Sequence, residues 1–174
     1  MKNHHRLHAS KAALATFVRT FVFGVEDSLV STAGLLSGLA VANTPREIIL
    51  TAGVVLICVE AFSMATGSFL SEGSAEKYLT KSDEGSRTPL ISSVIMFFSY
   101  FLAGFIPLAP YVFLAAPFAF WTSISVSLLS LFALGLLGAK ISQTHLFRGG
   151  IKMFLFGGIA LALGVTVGGF FKVL

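Results

Sequence analysis

The chain is 174 residues long, 55% hydrophobic and 11% charged, with a formal net charge of +4 and a mean hydropathy of +0.88. A soluble domain carries about 25% charged residues, so this composition excludes an ordinary soluble domain and predicts an all-α polytopic membrane protein. The single cysteine, Cys58, excludes an intrachain disulfide and any multi-cysteine metal site, and so small a net charge gives no reason to expect a nucleic-acid partner.

Residues 1–19 are polar and basic, include His4, His5 and His8, and lack the apolar core of a secretory signal. They are expected as a flexible arm. A membrane span needs about 20 residues to cross a hydrocarbon core of ~30 Å. Five stretches qualify, at about 20–42, 48–71, 89–109, 116–139 and 150–172, and together they predict one transmembrane domain over residues 1–174. Long apolar runs without period-two alternation argue for helices over strands. Thr44 is the expected cap of the second helix, with Pro45 in its first turn. The linker from Gly73 to Pro89 is polar, and Gly73 and Gly85 are placed to let it move. Pro107, Pro110 and Pro117 bracket an uncharged turn, and Lys140 to Lys152 forms a basic linker. Trp121 and Tyr111 are expected as interfacial anchors, Cys58 as a small buried hydrophobe, and the glycines of the last span as packing positions.

Ten of the twelve Lys and Arg residues fall on one side of this arrangement, in the arm and in the second and fourth loops. Only Arg46 and Lys172 fall on the other. The positive-inside rule therefore predicts a cytoplasmic N-terminus and, with five spans, a C-terminus outside.

Acidic residues inside the apolar stretches carry the functional signal. A carboxylate at membrane depth costs ~3 kcal/mol on insertion scales and more in simulation, and such residues mark ion or proton paths. Glu26 and Asp27 lie in the first span. Asp27, Ser31, Gly34 and Gly38 share a helical stripe, while Glu26 points about 100° away. The Gly34–Gly38 spacing suits close helix approach, and two protomers are expected to meet there. In the second span Glu60 and Met64 are an i, i+4 pair. A carboxylate oxygen and a thioether aimed at one point suit a borderline divalent ion better than Mg²⁺ or Ca²⁺. Glu72 and Glu76, again four apart, continue beyond that span as a possible cation-collecting entrance. No P-loop, HExxH or nucleophile motif occurs, and no enzymatic activity is expected.

The run Asp27-Ser-Leu-Val-Ser-Thr-Ala-Gly-Leu-Leu-Ser-Gly38, followed by Ala61-Phe-Ser-Met-Ala-Thr-Gly67, resembles the vacuolar iron transporter family, which includes yeast-type iron and manganese importers and nodulin-like proteins. The resemblance implies a homodimer with a metal path between subunits, exchanging Fe²⁺ or Mn²⁺ for protons and moving metal out of the cytosol. It places the family's first-helix aspartate at Asp27 and its second-helix methionine at Met64. Ser28 stands where the family usually has Gly, and Ser68 where many bacterial members have Glu. The linker between the second and third spans is too short for the Glu- and Met-rich metal-binding domain of plant and parasite members. The resemblance therefore does not rank iron against manganese.

Asp27, Glu60, Met64, Glu26, Glu72 and Glu76 are thus the candidate metal residues. The metal is cargo rather than a resident cofactor, and the expected partners are a second copy of the chain, lipid, divalent ions and protons. The alternative is a non-transporting metal sensor or scaffold of the same fold. Compact size without a targeting extension favours a prokaryotic cell membrane, otherwise a vacuolar-type membrane.

Overall fold

A computed structural model describes residues 2–81 and 87–173, with side chains for 13–81, 87–115 and 117–172. Its order is α1 (Lys2–Val41), α2 (Arg46–Thr80), α3 (Thr88–Phe113), α4 (Ala116–Ile141) and α5 (Leu146–Val173). Among the described residues there is no strand, as the long apolar runs required. Four helices, α2 to α5, are long and apolar enough to cross a membrane, and the chain is a multi-pass membrane protein.

α1 falls short of that apolarity because Glu26, Asp27 and several Ser and Thr interrupt it. Its position explains why this is tolerated. α1 packs against each of the other four helices, and Ser28, Leu29, Thr32, Ala33, Leu36 and Ser37 are fully buried. Polar groups at membrane depth are stable when they face protein rather than lipid.

Helix ends differ from the sequence expectations in ways that follow from local chemistry. The expected arm and first span form one continuous helix, since residues 2–19 contain neither Gly nor Pro and several good helix formers. α2 runs on to Thr80, so Gly73 sits inside a helix rather than in a linker; Gly85 lies outside the described residues. At 1.5 Å per residue the 35 residues of α2 reach about 52 Å, well beyond a ~30 Å hydrocarbon core. α3 continues through Pro107 and Pro110 to Phe113. Prolines are tolerated within membrane helices where protein rather than lipid surrounds the freed backbone groups; Pro107 and Pro110 are both buried, and the Ser123 hydroxyl of α4 donates to the Pro107 carbonyl at 2.7 Å. Pro45 rather than Thr44 caps α2, with no side-chain capping bond. Two residue placements also change. Tyr111 is a core residue beside Leu36, Ile49 and Leu108 rather than an interfacial anchor. Cys58 is exposed, because it lies on the outer face of α2 where no helix covers it.

Small residues set the helix spacing. In lipid there is little hydrophobic drive between helices, so close backbone contact must hold them. A Cβ built on Gly38 would stand 2.8 Å from the Gly164 carbonyl, and one on Gly168 would collide with the Gly38 carbonyl. The Gly34–Gly38 face is therefore filled by α5 of the same chain. The expectation that two protomers meet through these glycines is corrected: a matching Gly164–Gly168 pair already occupies them. α4 and α5 approach equally closely where Gly135 faces Gly149.

Gly168→Ala should lower the unfolding temperature of the detergent-solubilised protein, since overpacking costs about 1–3 kcal/mol against the ~1 kcal/mol that Ala gains over Gly in a helix. Gly138 on α4, with nothing within 4 Å of its virtual Cβ, is the control: Gly138→Ala should leave the temperature unchanged or raise it. Equal responses at both positions would refute the glycine-mediated contact.

Candidate metal centre

Asp27 and Glu60 are brought near each other from α1 and α2, close enough to act electrostatically on one another. Both also act on the Tyr100 hydroxyl of α3. All three helices are needed for this arrangement. Tyr100 is 0% exposed, and its hydroxyl lies 2.7 Å from that of Ser31, one turn beyond Asp27. The Ser28 hydroxyl donates to the Tyr100 backbone carbonyl at 2.6 Å. α1 and α3 are thus bonded together beside the aspartate, and a buried tyrosine hydroxyl has the partner it requires.

Toward the end of the bundle where α1 begins, a cavity of about 530 Å³ lies between α1, α2 and α3. Met64 and Ser68 of α2 line it, with Met96 of α3 and Arg19 and Glu72 at one edge. Glu60 is one turn from Met64 along α2 and is not among the residues that line this cavity. Glu72 forms an ion pair with Arg19 of α1. The Arg19 side chain is 69% exposed against 17% for Glu72, and an exposed pair of this kind contributes at most ~1 kcal/mol. Glu76 lies one turn further along the α2 extension, where Thr80 donates to its backbone carbonyl at 2.9 Å.

Glu26 is separate from this group. Half-buried on another face of α1, it is acted on by Lys152 of α5 as well as by Asp27. The polar and glycine parts of the α1 stripe also divide: Ser31 meets α3, while Gly34 and Gly38 meet α5. Among the described residues no three His, Cys, Asp or Glu side chains gather as a metal-binding group. One protomer brings together two carboxylates, with a thioether one turn away.

Sequence reasoning missed four residues here: Tyr100, Met96, Arg19 and Arg46. A tyrosine in mid-span was the available signal, because its hydroxyl must be satisfied. Arg46 sits at the other end of the bundle. Its Nε donates to the Tyr111 carbonyl at 2.7 Å and its Nη2 to the Val112 carbonyl, capping the last turn of α3. It lines a second cavity, of about 510 Å³, with Tyr111 and Trp121.

Four membrane-length helices packed with a fifth that carries half-buried acids define a polytopic membrane protein. The chain belongs to the VIT family, whose sequence profile matches residues 18–87 and 74–169. It is similar to vacuolar iron transporter 1 of Tulipa gesneriana, 25% identical over 216 aligned residues covering 89% of this chain and 87% of that protein. Vacuolar iron transporter homolog 1 of Oryza sativa subsp. japonica is 26% identical over 171 residues, with 87% and 72% covered. Vacuolar iron transporter homolog 4 of Arabidopsis thaliana is 27% identical over 165 residues, with 86% and 81% covered. The tulip alignment is longer than this chain, so that protein carries residues without counterparts here. The resemblance seen in the first two helices thus extends over most of the chain.

Tyr100→Phe removes a buried hydroxyl bonded to Ser31. It should destabilise the solubilised protein by about 1 kcal/mol, read as a lower unfolding temperature. An unchanged temperature would show that this bond does not tie α1 to α3.

Proposed function

We propose that this protein transports a divalent transition metal, Fe²⁺ or Mn²⁺, out of the cytosol in exchange for protons, working as a homodimer. The observation that carries the reading is that half-buried Asp27 and Glu60 lie within electrostatic range of each other, one turn beyond a cavity lined by Met64. Carboxylate with thioether is a donor set for borderline ions. The names of the plant relatives, vacuolar iron transporters and their homologues, support metal as the cargo and fit a vacuolar-type membrane. They lend no support to the alternative of a prokaryotic cell membrane.

The protomer's donor set is too small for a divalent ion that prefers octahedral coordination. A second copy meeting the open side of α2, where Ser63 and Gly67 are exposed, doubles the carboxylates and thioethers around one axis. Asp27, Glu60 and Met64 are the proposed metal ligands along the path. Glu72 and Glu76 stand at its cytoplasmic entrance, with Glu72 shared between Arg19 and an arriving cation. Glu26 is given the lesser part of holding α1 against α5 electrostatically. Ligand carboxylates must be deprotonated, so protons and metal compete for the same oxygens, and that competition couples the two flows.

Proteoliposomes loaded with a metal-sensitive dye test this. Asp27→Ala and Met64→Ala should each cut Fe²⁺ or Mn²⁺ flux by tenfold or more, about the lower end of what disturbing a metal's surroundings costs in affinity, with dimer assembly intact. Full flux in both variants removes the site assignment. Flux indifferent to an imposed pH gradient removes the exchange and keeps the metal, and binding without any flux favours a sensor.

A further inference from the structure

Two of the chain's four methionines, Met64 and Met96, line the same cavity. Met64 comes from α2, Met96 from α3. Met96 is 5% exposed, and its placement depends on α1. A Cβ on Gly24 would stand 3.1 Å from the Met96 sulfur and collide with the Ser99 hydroxyl. The absent side chain at Gly24 thus lets the Met96 sulfur lie directly against α1. Gly24 is three residues before Asp27, on the same side of the helix. The sulfur therefore lies on the aspartate-bearing side of α1, one turn nearer the Arg19–Glu72 pair. Neighbours on the buried face of α3 are Ser92, Ser99 and Tyr100, so Met96 is the one soft donor on that wall.

We propose that Met96 is a specificity-determining residue: its thioether joins that of Met64 to make a two-sulfur station between the Arg19–Glu72 edge and the Asp27–Glu60 pair, favouring Fe²⁺ over Mn²⁺. This rests on the transport reading above and adds to it the selection among ions. The chemistry follows from ligand softness. Manganese prefers carboxylate, carbonyl and water, and sits below iron in affinity for mixed sites, whereas thioethers favour softer ions. Carboxylates alone discriminate poorly between the two, and each added sulfur tilts the site toward iron. Gly24 is the positioning residue, because any side chain there displaces the sulfur.

The test compares wild type with Met96→Leu, which keeps the volume and removes the sulfur, in proteoliposomes given Fe²⁺ and Mn²⁺ separately at equal concentration. The Fe²⁺:Mn²⁺ flux ratio should fall by about tenfold, in line with the loss expected when a metal's ligand surroundings are disturbed. Mn²⁺ flux should persist and serves as the folding control. An unchanged ratio, or equal loss of both fluxes, overturns the assignment. X-ray absorption of iron bound to the solubilised protein gives a readout independent of transport: the sulfur shell should weaken in Met96→Leu, and an identical shell overturns the assignment whatever the fluxes. Wild-type vesicles that move neither ion refute the transport reading itself, an outcome distinct from transport with an unaltered ratio.

Discussion

The expense of a carboxylate in hydrocarbon organises this molecule. Asp27 is tolerated at membrane depth by facing protein rather than lipid, and α1 is the helix that touches all the others. The buried face of α1 holds its serines and threonines against the other helices, while Phe21, Phe23 and Leu35 stay exposed on its outer face. Once α1 is central, α3 must come close enough to bond it, which Gly24 permits and which the Ser28 and Ser31 hydroxyls complete at Tyr100. Glu60 then reaches the same region from α2. The polar cluster is a consequence of where one imperfectly apolar helix had to go.

Glycine contacts give the bundle two unlike sides. On the α5 side, backbone rests on backbone through Gly34, Gly38, Gly164 and Gly168, and nothing can pass between. On the α2 side, the contacts are with α1 and α3, and Ser63 and Gly67 face outward. Helix association in lipid relies on such close approach because apolar side chains gain little by leaving lipid for protein. The proposed metal route, with the proposed second copy, lies on the side that glycine packing leaves open. Beyond the hydrocarbon, α1 and α2 project as long helices joined by the Arg19–Glu72 pair. That pair contributes little to stability, since the Arg19 side chain is mostly exposed.

Much of the fold was legible from hydropathy and charge: five helices, their order, and no acid within the last three spans. Helix ends were less so. Pro107 and Pro110 read as a break because proline lacks a donor, yet the buried surroundings of α3 tolerate them. Tyr111 read as an anchor and proved to be core. Met96 gave no pattern in an apolar run, and the one signal at Tyr100, a hydroxyl in mid-span, did not say which helix would satisfy it.

By itself the sequence determined the class of protein, the four helices apolar enough to cross a membrane and which residues carry costly polarity, because those depend on the residue's own transfer energy and on helical periodicity. Only the tertiary structure decided the partners: Gly34 and Gly38 with α5 rather than another protomer, Glu26 toward Lys152, Asp27 toward Glu60 and Tyr100. A glycine stripe states that something may approach but not what. Periodicity fixes the direction of a side chain relative to its own axis, and the packing of neighbouring helices settles what stands in that direction.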